Sequence, residues 1–397
     1  MSADVNDSQL VIVGGGLSSA KLVAGYREAG GEDRITLVSA DPFPPYHRPP
    51  LSKRFLRGEA EAEDTYVQPA EWYQENGVDL RLETHAERVE GRELVLADGS
   101  SAGGRLPFDR LVLATGAEPR RLPVPGADGE GVFVLRSLTD SSEIRHAARD
   151  EDTAVAVGAG FIGMEVAASL TALGLKATII EPLDMLFPQF RCRELSDALV
   201  ELYRQEGVEV LLGDSVTEFR GDGHVEGAVT KSGRELRARL VVVGIGVVPR
   251  TQLAESAGAE VDNGIVVNER FETTVAGVYA VGDVANYHDP VFGRRRRIEH
   301  WSHANYCGAE LGQILAGKDG GYDTVSTFFS EVFGRTIKVF GDSSQHDELV
   351  VRGDFRDGAA VGYYLEHGRI AGAVLMGQDE ETENRLKEQI RAGAALE

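Results

Sequence analysis

The chain is 397 residues long with a formal charge of −23, and 42% of its residues are hydrophobic and 26% charged. That is the composition of an ordinary globular protein, and the length calls for two or three domains rather than one core. The acidic balance excludes nucleic acid and anionic membranes as main partners, and no apolar run approaches the roughly 20 residues of a membrane span.

Met1 to Gln9 is polar and acidic with no basic-then-apolar signal, so a cytoplasmic protein is expected. Residues 9–14 form a short apolar run ending in glycines, which reads as a buried parallel strand. A helical stretch follows from about Leu17 to Ala29, then a strand over Arg34 to Val38, which completes a βαβ unit with a glycine turn at its start. Pro42 to Pro50 is proline-rich and predicts a stiff extended loop, because proline lacks the N–H that a helix or central strand requires. Leu94 to Gly99 looks like a hairpin strand meeting a turn, and Leu111 to Gly116 like a strand running into a glycine.

Pro119 to Pro125 reads as a linker, and a second βαβ unit runs from Thr153 to Glu181. Leu240 to Val248 is a further buried strand with Gly244 and Gly246 at its end, and Gly277 to Asp283 is a strand ending in Gly-Asp. After Tyr322 the pattern changes. Phe340-Gly341, Glu348 to Gly353, Ala360 to Leu365 and Ile370 to Leu375 alternate and turn like an antiparallel sheet, and Glu380 to Ala394 is a charged amphipathic helix.

These elements predict an α/β protein: two Rossmann-like dinucleotide-binding domains, one inserted in the other, plus a C-terminal α+β domain. The expected boundaries are 1–117 and 246–322 for the first domain, 118–245 for the inserted one and 323–397 for the last.

The two glycine turns carry the chemistry. The first is Val13-Gly14-Gly15-Gly16-Leu17-Ser18-Ser19, the second Val157-Gly158-Ala159-Gly160-Phe161-Ile162-Gly163. A glycine turn lets the backbone approach a pyrophosphate, and the helix behind it supplies N–H donors and a positive dipole. Two such turns in one chain point to two nucleotides held against each other, so that electrons can pass between them. In the first, Ser19 replaces the third glycine and is small enough for close helix–strand packing.

An acidic residue at the end of the second strand should take the ribose hydroxyls. Asp41 is the candidate in the first unit, set one position late behind Ala40, and Glu181 in the second. Between Glu181 and Arg191 there is no Arg or Lys, and a carboxylate repels a 2′-phosphate, so NADH is expected over NADPH.

Over nearly its whole length the chain resembles the FAD-dependent ferredoxin reductases that serve Rieske-type dioxygenases and cytochromes P450, within the pyridine nucleotide–disulfide oxidoreductase fold. The matching segments are Pro45-Tyr46-His47-Arg48-Pro49-Pro50-Leu51-Ser52-Lys53, Ala114-Thr115-Gly116, Gly282-Asp283-Val284-Ala285 and Glu299-His300-Trp301. The C-terminal part also resembles monodehydroascorbate reductases.

The resemblance implies that Arg48 and Lys53 lie along the flavin, with Lys53 near N5. It implies that Ala114, Thr115 and Gly116 pack on FAD, that Asp283 holds the ribityl chain or pyrophosphate with Gly282 allowing the approach, and that Glu299, His300 and Trp301 flank the isoalloxazine. Glu165 would pair with Lys53, because a carboxylate limits the desolvation cost of a buried ammonium. Gly14, Gly16, Leu17 and Ser18 would complete the FAD site. Gly158, Gly160, Phe161, Ile162, Gly163, Gly244, Ile245 and Gly246 would complete the NADH site.

Disulfide reductases of this fold carry a CxxxxC pair after the first nucleotide unit. From Asp41 to Lys53 this chain has no cysteine, so electrons are expected to leave the flavin directly for an outside acceptor. Cys192 and Cys307, the two cysteines of the chain, have no CxxC spacing and read as reduced thiols, and no metal site is expected. His47, His300 and His303 lie near the flavin segments, where packing or hydrogen bonding is expected rather than proton transfer.

The basic run Arg294-Arg295-Arg296-Arg297 directly precedes the Glu299-His300-Trp301 segment and suits an acidic 2Fe–2S ferredoxin. The alternatives are a small-molecule acceptor, such as a monodehydroascorbate-type radical, a quinone or oxygen, and a redox sensor similar to apoptosis-inducing factor. The acidic surface fits a monomer or a loose homodimer.

Overall fold

The computed structural model describes residues 8–97 and 104–396. The chain divides into two compact units. The first runs through His47 and resumes over Glu63–Glu118 and Val248–Thr324. The second comprises Arg48–Ala62, Pro119–Val247 and Val325–Glu397.

The first unit is built on a parallel sheet in the order Val278–Ala280, Arg110–Leu113, Gln9–Val13, Arg34–Val38, Val78–Arg81. Leu10, Val11 and Ile12 are wholly buried, as a strand covered on both faces requires. The helix Leu17–Glu28 returns over this sheet and crosses the helix Trp301–Leu315 at backbone contact. A Cβ on Gly308 would lie 2.4 Å from the Ser18 carbonyl oxygen, and one on Gly312 would lie 2.3 Å from that of Leu22. Glycine at these helix positions sacrifices helix propensity for close approach.

The second unit repeats the plan. Its parallel sheet runs Glu209–Leu212, Lys176–Glu181, Thr153–Val157, Leu240–Val243, Val132–Val134. The helix Phe161–Ala172 follows its glycine turn. An antiparallel sheet of five strands closes the chain, in the order Thr327–Val332, Arg335–Gly341, Arg369–Met376, Ala359–Glu366, Glu348–Asp354. Val332, Ile337, Phe355 and Val374 of this C-terminal part share one apolar core with Met164, Ile179 and Leu199 of the nucleotide fold.

The α/β class with two Rossmann-like sheets agrees with the sequence expectation. One local reading is corrected, and two strands carried no sequence signal. Leu240 to Val248 is not one strand: it breaks into Leu240–Val243 and Val247–Pro249, because Gly246 turns at φ +94°. The strand Thr327–Val332 had no periodic signal, because its sheet face mixes Phe328, Ser330 and Val332. The arginine run 294–297 is a strand, paired antiparallel with Ala285–Asp289. The turn expected at Asp98 and Gly99 lies outside the described residues.

Candidate functional site

Both glycine turns are built alike. The strand Gln9–Val13 hands its chain to Gly14, whose N–H bonds the Val38 carbonyl at 2.8 Å. Gly158 does the same to Ile180 at 2.8 Å. A Cβ on Gly14 would sit 2.2 Å from the Ala114 carbonyl oxygen, and one on Gly158 would sit 2.5 Å from that of Gly244. Each turn is therefore pressed against the end of the neighbouring strand, Ala114-Thr115-Gly116 in one unit and Gly244-Ile245-Gly246 in the other. Gly116 and Gly246 both take positive φ there. Gly16 and Gly160 are the helix N-caps, and neither offers a side chain to the first-turn N–H groups of Leu17 and Ser18 or of Phe161 and Ile162. A Cβ on Gly160 would meet nothing within 4 Å. An extended glycine cap with an uncapped helix behind it and open space before it fits a pyrophosphate.

The third loop position separates the two units. A Cβ on Gly163 would fall 1.8 Å from the Gly158 carbonyl oxygen. Ser19 occupies the equivalent place, and its hydroxyl donates to the Gly14 carbonyl at 2.5 Å.

The strand-end residues differ as well. The Ala159 N–H donates to Glu181 Oε2 at 2.7 Å, and the Leu183 N–H to Oε1 at 2.9 Å. By register the equivalent of Glu181 is Ser39, which packs directly under Gly15. Asp41 stands two residues beyond that place. Its carboxylate accepts from the Tyr46 hydroxyl at 2.8 Å and the Phe43 N–H at 3.2 Å.

The first unit gathers a further set. A Cβ on Gly282, which has φ +79°, would sit 2.4 Å from Ser18 Oγ, so the Gly282-Asp283 turn abuts the start of the Leu17–Glu28 helix. Arg297 donates to the Asp283 carbonyl at 3.2 Å and pairs with Glu299. His300 caps the next helix, its Nδ1 accepting from the Ser302 N–H at 3.2 Å. Trp301 donates its indole N–H to His47 Nδ1 at 2.9 Å. His303 is fully buried on the same helix and stacks on Tyr287 at 5.1 Å. Burial pushes it down to about 3, so it is a neutral imidazole.

The second unit holds the paired charges. Arg48 caps a short turn over Pro49–Ser52, and its Nε donates to the Arg136 carbonyl at 3.1 Å. Lys53 ends that turn, and its Nζ lies 2.6 Å from Glu165 Oε2. The buried Glu165 carboxylate also accepts from Ser52 Oγ at 2.5 Å and from Ser330 Oγ at 2.8 Å. Sequence reasoning missed both serines. Ser52 lay inside the Pro45–Lys53 motif without a role, and Ser330, between Phe329 and Glu331, had no signal of its own.

The arginine run is less available than its sequence suggests. Arg296 forms an ion pair of 2.8 Å with the buried Asp289, and the Arg297 pair with Glu299 takes a second charge. Arg295 is exposed and donates to the Val267 and Asn286 carbonyls. Both cysteines are buried, and burial pushes each thiol up to about 12. Neither is a thiolate near neutral pH. Among the described residues no group of His, Cys, Asp and Glu could hold a metal ion, and no helix is long and apolar enough to cross a membrane.

Paired glycine turns of this build, one on each parallel sheet, define a class of pyridine-nucleotide oxidoreductases, and the comparisons agree. The chain belongs to the pyridine nucleotide-disulphide oxidoreductase family, which matches residues 8–308. It is an oxidoreductase whose cofactors are FAD and NADH. Over 375 residues it is 33% identical to putidaredoxin reductase of Pseudomonas putida, covering 92% of this chain and 88% of that relative. It is 34% identical over 373 residues to the ferredoxin reductase component of a chlorobenzene dioxygenase from Cupriavidus sp., covering 93% of this chain and 89% of the relative. The crystal structure of a covalent putidaredoxin reductase–putidaredoxin complex superposes with a TM-score of 0.93 at 32% identity, over 99% of this chain and 95% of that one.

Proposed function

We propose that this protein carries electrons from NADH through FAD to an acidic 2Fe–2S ferredoxin that serves an oxygenase, a cytochrome P450 or a Rieske dioxygenase. The observation that carries the reading is the Lys53–Glu165 pair, an ammonium held at 2.6 Å from a buried carboxylate on the nicotinamide-side helix. The relatives named for putidaredoxin and for a dioxygenase support the acceptor class.

FAD, when bound, accepts a hydride and releases electrons singly, which joins a two-electron donor to a one-electron acceptor. The chain's own residues bind, orient and balance charge. The Gly14–Ser18 turn, Asp41, Ala114–Gly116 and Gly282-Asp283 hold FAD; 1–117 and 246–322 are the segments assigned to it, with 118–245 assigned to NADH and 323–397 to the C-terminal domain. The Gly158–Gly163 turn and Gly244–Gly246 hold the NADH pyrophosphate. Glu181 takes the ribose hydroxyls with its remaining lone pairs. Arg48 and Lys53 would place positive charge along the flavin, where it would favour reduction, and Glu165 orients the Lys53 ammonium. Glu299, His300 and Trp301 cover the ring and exclude water. The barrier to hydride transfer falls through positioning.

The ferredoxin docks on the arginine strand Arg294–Arg297, where Arg295 is exposed and Arg296 and Arg297 are paired with Asp289 and Glu299. The test is anaerobic stopped-flow reoxidation of the NADH-reduced enzyme by an acidic 2Fe–2S ferredoxin across a salt series. Fast transfer that slows with salt supports the reading. Slow transfer at every salt, with several ferredoxins, transfers the assignment to a small-molecule acceptor or a sensor.

A further inference from the structure

We propose that Ser330 and Ser52 are positioning residues for Glu165, and that their hydroxyls clamp its two carboxylate oxygens so that the Lys53 ammonium is held in one orientation. The inference rests on the reading of Lys53 as the flavin-side lysine. Three stretches of chain meet at this carboxylate. Glu165 comes from the helix Phe161–Ala172, Ser52 and Lys53 from the turn after Pro49, and Ser330 from the strand Thr327–Val332.

Ser330 is fully buried on a strand face that otherwise carries Phe328 and Val332. A hydroxyl at such a place is unfavourable unless it is bonded, and an apolar residue would pack there. Its described bond runs to Glu165 Oε1 at 2.8 Å, on the oxygen that Lys53 does not touch. Ser52 donates at 2.5 Å to Oε2, the oxygen that also meets Lys53. Ser52 is itself anchored, since its carbonyl accepts from Ser169 Oγ at 2.6 Å, one helical turn beyond Glu165. Both carboxylate oxygens therefore have a neutral donor fixed to a different element, and a rotation of the carboxylate breaks both bonds.

The charged and titratable groups around Glu165 come from each neighbouring element. Lys53 faces it from the turn, and Tyr203 from the helix Arg193–Gln205, its phenol pushed up by burial with Glu165 adding to the shift. Arg57 reaches Ser169 Oγ at 3.4 Å, and Glu331, beside Ser330, faces solvent. Of these, Lys53 is the cation in direct contact. Removing one donor frees one carboxylate oxygen to rotate and loosens the hold of Glu165 on Lys53.

The experiment uses the FAD-loaded enzyme and its Ser330→Ala, Ser330→Thr and Ser52→Ala variants. The flavin midpoint potential is followed against pH by spectroelectrochemistry, and anaerobic flavin reduction by NADH is followed by stopped flow. Ser330→Ala should slow flavin reduction about tenfold at saturating NADH and change its pH profile, with the Kd for NADH unchanged. The dependence of the midpoint potential on pH should change with it. Ser330→Thr keeps the hydroxyl on a strand position that favours threonine and should restore both. If alanine does not fold, Ser330→Cys, a weak donor of similar volume, takes its place. A folded Ser330→Ala enzyme with wild-type reduction rate, pH profile and potential overturns the clamp. Should NADH fail to reduce the wild-type enzyme, the donor reading falls, while the potential against pH still decides the clamp.

Discussion

Glu181 and Ala159 are joined by a hydrogen bond of 2.7 Å between the carboxylate and the backbone N–H of the glycine turn. The residue expected to take the ribose hydroxyls thus also shapes the pyrophosphate loop. Each of its oxygens accepts one backbone N–H and has capacity to accept another hydrogen bond. Glu181→Ala removes both functions. The KM for NADH should rise roughly tenfold or more, and discrimination against NADPH should shrink because the repelling charge is gone. Steady-state kinetics with both nucleotides check this. An unchanged NADH:NADPH ratio would count against Glu181 as the ribose ligand.

The arginine strand separates docking from folding. Arg296 is paired with Asp289, which is 1% exposed and also accepts the Tyr287 hydroxyl at 2.9 Å. Breaking a pair of that kind costs roughly 3–5 kcal/mol, so Arg296→Glu should unfold or badly destabilise the first unit. Arg295→Glu should leave the melting temperature within a few degrees of wild type. It should slow ferredoxin association several-fold at low salt, with the difference vanishing at high salt. Equal behaviour of the two variants in melting curves would contradict this division.

His303 predicts acid sensitivity. Its folded value of about 3 lies below the ordinary histidine value of 6.5, so the unfolded chain binds a proton that the folded one refuses. Above pH 6.5 the imidazole is neutral in both states and makes no difference. As pH falls below that value, stability is lost progressively, by about 2 kcal/mol at pH 5. His303→Gln, whatever its absolute stability, should flatten the denaturation free energy between pH 7 and pH 5 by that amount. Parallel curves for the two proteins would mean that His303 is not the group responsible.

Trp301 and His47 link two motifs that lie 254 residues apart, with ring centroids 5.7 Å from each other. The indole N–H donates, so His47 Nδ1 must carry no proton. His47→Leu should cost about 1 kcal/mol and broaden the orientations of the indole. Trp301 emission, read in a Trp72→Phe background, should shift and lose part of its flavin quenching. Emission identical to that of the parent would show that other contacts hold the ring.

Much of the fold was legible because its signals are local. A buried apolar run, a glycine turn and an uncapped helix within about 30 residues identify a βαβ unit; the first was read with helix and strand ends within a residue or two, and the second by its span from Thr153 to Glu181. The strand Arg34–Val38 and the terminal helix were readable for the same reason. Even the Ser19 departure could be judged locally, since a small side chain next to its own turn either clashes or closes a hydrogen bond. The misreading of Leu240 to Val248 arose where a glycine with positive φ interrupts an apolar run without a polar residue to mark it.

By itself the sequence determined the two glycine turns, the carboxylate that ends the second strand of the second unit, the lack of cysteine between Asp41 and Lys53 and the family, since each depends on residue types at short spacing. Only the tertiary structure decided which charges are answered. Glu165 meets Ser52 from 113 residues away and Ser330 from 165 residues away, and Asp289 and Glu299 pair with Arg296 and Arg297 of the arginine run. Charge compensation and hydrogen-bond satisfaction depend on which surfaces the folded backbone brings within about 3 Å, and residue spacing along the chain carries no record of that distance.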